Sequence, residues 1–122
     1  MLRELFLGLI RIHILFHAGE APVYGVALMA ELARHGYQIG PGTIYPILHS
    51  LETQGSLRRE DQVVDGKVRK YYRITPAGRR TLARAQAQLV ELVEEVQPAS
   101  GPKQPVKRPG MLRQPRCRGT RV

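Results

Sequence analysis

Two groups of residues in this 122-residue sequence have types and spacings that could do chemistry. The first is Lys67, Arg69 and Lys70, three cations within four positions, just after the dipeptide Asp65-Gly66. Asp-Gly tolerates positive φ and favours a tight primed turn. The three charges would then crowd the tip of a hairpin, where they suit phosphate oxygens or entry into a minor groove. The second group is Thr43, Tyr45, Pro46 and His49. These flank Ile44, Ile47, Leu48 and Leu51, which recur at helical spacing. If that apolar stripe turns inward, the polar set faces out and can reach base edges or phosphates. Tyr24 and Tyr45 would offer their hydroxyls to phosphate, and Tyr72 reads as core.

Other chemistry is poorly supplied. His13 and His17 stand four apart, a spacing able to hold a metal, and Glu20 follows. No nearby cysteine or helical glutamate completes a tetrahedral set, so the pair reads as packing at a dimer face and no metal is expected. There is no Ser/His/Asp arrangement with supporting context, no phosphate-cradling glycine loop and no carboxylate pair in a plausible cleft. The chain is expected to be neither an enzyme nor a cofactor binder. Cys117 is the one cysteine. It reads as a passive thiol, and the absence of any internal disulfide fits a reducing cytoplasm.

The net charge of +9 favours a polyanionic partner, nucleic acid before an acidic membrane surface. Its distribution narrows the argument. Residues 1–96 hold 12 basic residues against all 10 acids, and residues 97–122 hold the other 7 basic residues. The excess therefore belongs mostly to the C-terminal stretch. Residues 58–80 nevertheless carry eight cations against three acids. A basic hairpin can also be a solvated strand protected from aggregation by its charges. That reading weakens when the hairpin follows two helices joined by a short turn.

The elements that must position these residues follow from periodicity. Leu5, Leu9, Ile12 and Phe16, widened by Leu2, Phe6 and Ile10, predict a helix over 2–17 that is apolar on more than one side. It is too short and too interrupted by charge to span a membrane, which needs about 20 apolar residues. A second helix is expected over 23–35 and a third over 41–54. Pro46 either kinks the third helix or marks a later start near Thr43. Strands are expected over 57–64 and 67–75. Thr75-Pro76 is a strong helix start, and a fourth helix should run over 76–96. Its Leu82, Ala85, Leu89, Leu92 and Val96 follow the 3-4-3-4 spacing of a coiled-coil seam. That seam has no obvious home in so small a domain. A symmetric dimer, with helix four against the Leu5/Leu9/Ile12 face of helix one, would bury it.

The fold class is thus mainly α with a small β-hairpin: a winged helix-turn-helix (1–75), a C-terminal dimerisation helix (76–96) and a basic disordered stretch (97–122). In such a unit the third helix enters the major groove and the wing lies along the backbone.

Several segments carry a family likeness. They are Val23-Tyr24-Gly25, Gly40-Pro41-Gly42-Thr43-Ile44-Tyr45-Pro46-Ile47-Leu48, Leu51-Glu52-Thr53-Gln54-Gly55-Ser56-Leu57, Gly66 through Thr75, and Ala77-Gly78. In this order the chain resembles the PadR family of winged-helix transcriptional regulators over residues 9–96, with Ser56 where a leucine is usual. The resemblance implies a homodimer, repression from a palindromic operator in double-stranded DNA and, often, release by a small aromatic or drug-like effector. Two other classes stay open: a sequence-independent nucleic-acid binder driven by the basic stretch, and a winged-helix protein-interaction module.

Overall fold

The computed structural model describes residues 1–98. The expectations for Cys117 and for disorder in the basic stretch fall, from residue 99 onward, outside the described residues. The element order is α1 (Leu2–Glu20), α2 (Gly25–Arg34), α3 (Pro41–Thr53), β1 (Leu57–Val64), β2 (Lys67–Ile74) and α4 (Pro76–Val96). The chain is mainly helical with one antiparallel hairpin, the winged helix-turn-helix order.

α1 continues to Glu20, three residues past its expected end. The Arg79 guanidinium donates to the Gly19 carbonyl at 3.3 Å. A cation on one of the last carbonyls satisfies an acceptor with no partner inside the helix and suits the negative end of its dipole. α2 begins at Gly25 rather than Val23, because Val23 is used elsewhere. Its N–H donates to the Tyr72 carbonyl at 3.0 Å and its carbonyl accepts from Tyr72 N–H at 2.8 Å. This isolated bridge ties the loop before α2 to the base of the hairpin.

α3 starts at Pro41 with Gly40 as its cap. Thr43 and Ile44 N–H both donate to the Gly40 carbonyl at 3.0 Å. Pro46 therefore lies inside the helix, beyond the first turn. The donor it lacks would have served the carbonyl of Gly42, an exposed residue near the helix start that water can reach. α4 is capped as its sequence implies: Gly78 N–H donates to Thr75 Oγ1 at 2.9 Å. The same hydroxyl donates to the Gly55 carbonyl at 2.5 Å, pinning the start of α4 to the end of α3.

The core draws on every element of the first unit, Met1–Leu89. Ile10 and Ile14 of α1, Leu28 and Leu32 of α2, and Ile44 and Leu48 of α3 are fully buried. Leu57 and Tyr72 close it from the hairpin, and Leu82 of α4 packs against it. Each large side chain so buried contributes roughly 1.5–3 kcal/mol. A second unit begins at Val90 and includes the last turns of α4. Among the described residues no helix is long and apolar enough to cross a membrane.

Candidate nucleic-acid interface

The hairpin is paired in register from Leu57↔Ile74 to Val64↔Lys67. Asp65 (φ 53°) and Gly66 (φ 77°) make its turn, both left-handed as a primed turn demands. Burial holds only at the base, through Leu57 and Tyr72. Towards the tip no second layer lies beneath the strands, and Val63 and Val68 are exposed on opposite sides of one rung. The hairpin thus projects as a wing.

The six cations of the hairpin separate into two classes. Arg73 Nε meets Glu60 at 3.1 Å, and Arg58 approaches the same carboxylate at 3.9 Å. Arg59 holds Asp61 at 3.3 Å. These three arginines sit low on the wing and share two carboxylates. Arg79 is committed to the end of α1. Lys67, Arg69 and Lys70 make no ion pair among the described residues. Lys67 and Lys70 are exposed, and Lys70 stands across the ladder from Asp61, whose carboxylate Arg59 already occupies.

Arg69 is placed differently from its neighbours. Its guanidinium lies over the Tyr24 ring, 4.3 Å from the centroid. Tyr24 in turn meets Tyr71 edge-on, with centroids 5.2 Å apart. A guanidinium held on an aromatic face keeps its charge while losing freedom. The Val23–Tyr72 bridge sets this up, because it brings Tyr24 alongside β2.

The α3 residues fall where the inward stripe puts them. Ile44, Ile47, Leu48 and Leu51 are buried, Pro46 and His49 are exposed, and Thr43 is half-buried. Tyr45 is 39% exposed. The hydroxyl end of its ring meets the start of α2. A Cβ on Gly25 would meet Tyr45 Cε1 at 2.6 Å, well inside contact distance. Only glycine lets the two helices and the ring come this close. Between the start of α2, Tyr45 and the wing tip lies a cleft of about 790 Å³, lined by aromatic rings on one side and by Lys67, Arg69 and Lys70 on the other. Val26, Val64 and Val68 add apolar wall. Sequence reasoning missed Val26 and Tyr71. The repeated tyrosines were the one available signal for Tyr71, and nothing marked Val26.

The helices bring a second group together. His13 and His17 of α1 face His35 at the end of α2, with Glu31 beside them. They share a pocket of about 540 Å³ with Leu9, Ile12, Phe16, Gln86 and Leu89. Of the expected seam on α4, Leu82 packs on the chain's own core and Ala85 and Leu89 are half-buried, while Leu92 and Val96 are exposed at 46% and 62%. On α1, Leu5 is 49% exposed and Leu9 and Ile12 are half-buried.

Comparison with known proteins agrees with this geometry. The transcriptional regulator PadR-like family matches residues 14–84. The transcriptional regulator Rv3488 of Mycobacterium tuberculosis is 50% identical over 95 residues, 78% of this chain and 89% of that protein. A PadR family transcriptional regulator from Eggerthella lenta superposes with a TM-score of 0.70 at 41% identity, covering 79% of this chain and 85% of the other. A PadR-like transcriptional regulator from Bacillus cereus gives 0.67 at 27% identity, covering 73% and 88%. The family match and the 50% relative, together with the winged helix-turn-helix that carries their shared segments, place this chain in the PadR-like family of transcriptional regulators.

Proposed function

We propose that the chain is a homodimeric repressor that reads a palindromic operator. α3 presents Thr43, Tyr45, Pro46 and His49 to the major groove, and Tyr24, Lys67, Arg69 and Lys70 hold the flanking backbone. The observation that carries this reading is the sorting of charge on the wing. The three arginines at its base all pair with Glu60 or Asp61, while the three cations at its tip carry no acid partner among the described residues and border the same cleft as Tyr45. Unmatched cations beside an exposed helix suit phosphate contact next to base reading.

Two copies are needed because one winged helix reads only a few base pairs. A symmetric pair would present its two α3 helices about 34 Å apart, one helical turn of DNA. The exposed Leu5, Leu92 and Val96 supply apolar surface for that pairing. Release by a small aromatic or drug-like effector completes the proposal. It rests on the family, and the apolar wall of Leu9, Ile12, Phe16 and Leu89 is where such a molecule would lie.

Selection of bound sequences from random duplex DNA with the purified protein tests the reading. A palindrome with half-sites about ten base pairs apart is expected. Recovery of unenriched sequence, with affinity lost on deleting residues 97–122, would replace it with sequence-independent binding.

A further inference from the structure

Three of the chain's four histidines converge at one place. His13 and His17 lie one turn apart on α1, and His35 is the C-cap residue of α2. A ligating nitrogen from each can be chosen so that all lie within 4.8 Å of one another. The rings of His13 and His35 stack with centroids 4.9 Å apart. Glu31, one helical turn before His35, reaches into the group. Its Oε2 is 3.2 Å from His35 Nε2 and 3.8 Å from His17 Nε2, while its Oε1 accepts from Arg34 at 3.0 Å.

Two helices from different parts of the chain thus supply three imidazoles and one carboxylate to a common point. We propose that His13, His17, His35 and Glu31 form a binding site for one divalent late transition ion per chain, of the Zn²⁺ type. Imidazole with a single carboxylate suits Zn²⁺, Co²⁺ or Ni²⁺ rather than the oxygen-seeking Mg²⁺ and Ca²⁺. Zinc–nitrogen bonds of about 2.0–2.1 Å in a tetrahedron place donor atoms about 3.4 Å apart. The observed spread is wider than that value, so binding requires the side chains to draw together, and His13, His17 and His35 all border the open pocket that leaves room for it. Among the described residues His13 has no side-chain hydrogen-bond partner, and Glu31 is the acid that His17 and His35 share.

Filled by four protein ligands, the site would act as a clamp joining α1 to the first helix of the helix-turn-helix. Any consequence for operator binding rests on the regulator reading above, whereas titration with the metal alone reads the site directly. Co²⁺ added to the apo chain is expected to give the visible bands of a four-coordinate ion, saturating at one equivalent and displaced by Zn²⁺. The melting temperature should rise on the order of 10 °C at a hundredfold excess of Zn²⁺ over its Kd. His13→Gln and His35→Gln should each abolish the stoichiometric bands, Glu31→Gln should weaken binding on the order of tenfold, and His49→Gln should leave it unchanged. Imidazole ¹⁵N spectra of the unmodified chain make the test independent of how the variants fold: Zn²⁺ should shift three histidines and spare His49. No bands at one equivalent of Co²⁺, bands that survive in the His13→Gln/His35→Gln double variant, or shifts confined to His49 would overturn the proposal.

Discussion

Lys67→Gln should flatten the salt dependence of operator binding, and the size of the change follows from the wing's ion pairs. Each phosphate that a cation no longer neutralises takes about 0.9 from the slope of log K against log salt. Lys67 is exposed, lies opposite Val64 and has no ion-pair partner among the described residues, so its full charge is available. A dimer carries two copies of the substitution, and the slope should fall by about 1.8. Between 50 and 200 mM salt that is a roughly tenfold smaller loss of affinity than in the unmodified protein. Arg73→Gln is the comparison. Its guanidinium is held by Glu60 at 3.1 Å, and its removal frees that carboxylate for Arg58 nearby. Its slope change should be less than half that of Lys67→Gln. Lys70→Gln should behave like Lys67→Gln, because the Asp61 carboxylate opposite it is already held by Arg59. Fluorescence anisotropy on one operator duplex at five salt concentrations gives all three slopes. Equal slopes for the Lys67 and Arg73 variants would refute the reasoning that internal pairing decides which cations meet DNA.

Three further outcomes are expected. Gly25→Ala should leave the melting temperature within a few degrees, because the colliding atoms are the far end of the half-exposed Tyr45 ring, yet weaken operator binding at least tenfold by swinging that ring out; unchanged affinity would show that Tyr45 is idle. Leu89→Asp should split the dimer in light scattering and abolish operator binding together, since a charge would enter a surface whose leucine burial contributes roughly 1.5–3 kcal/mol per chain; a dimer that persists would move the seam elsewhere. Acidification should destabilise the fold. His13 titrates lower in the fold than its ordinary 6.5, so its contribution is present above 6.5 and lost as pH falls from there through the folded value. Glu31 acts in the same direction at lower pH: burial raises its pKa, but His35, Arg34 and His17 together bring it below 4.5. Melting followed from pH 8 to 5 should fall, less steeply in His13→Gln, and a rise over that range would contradict the His13 assignment.

The elements were legible because their signals are local. The α3 stripe, the Asp65-Gly66 turn and the Thr75-Pro76 start each depend on residues within one or two turns. What stayed hidden depends on packing across the fold. The number of cations could not say which were matched, since that depends on the strand register placing Arg73 near Glu60. The stacking of Arg69 on Tyr24 depends on the bridge at Val23. His13 and His17 have no further ligand close by in sequence, because His35 and Glu31 reach them only through the packing of α1 against α2. α1 runs past residue 17 to Glu20, and nothing nearby in sequence shows that Arg79, sixty residues on, takes the Gly19 carbonyl.

The bridge between Val23 and Tyr72 has a mechanical consequence. The wing is a cantilever, fixed at its root by two backbone hydrogen bonds and by the buried Leu57 and Tyr72, and steadied further out by Arg69 on the Tyr24 ring. Deflection of such a beam grows steeply with distance from the root. The residues that set the angle between wing and α3 should therefore move least, and Lys67 at the tip should move most. A tip of this kind can follow phosphates whose positions shift with groove width from one sequence to another. α3 need not be disturbed as it does so. Amide hydrogen exchange should record the gradient directly, slow at Tyr72 and progressively faster towards Lys67.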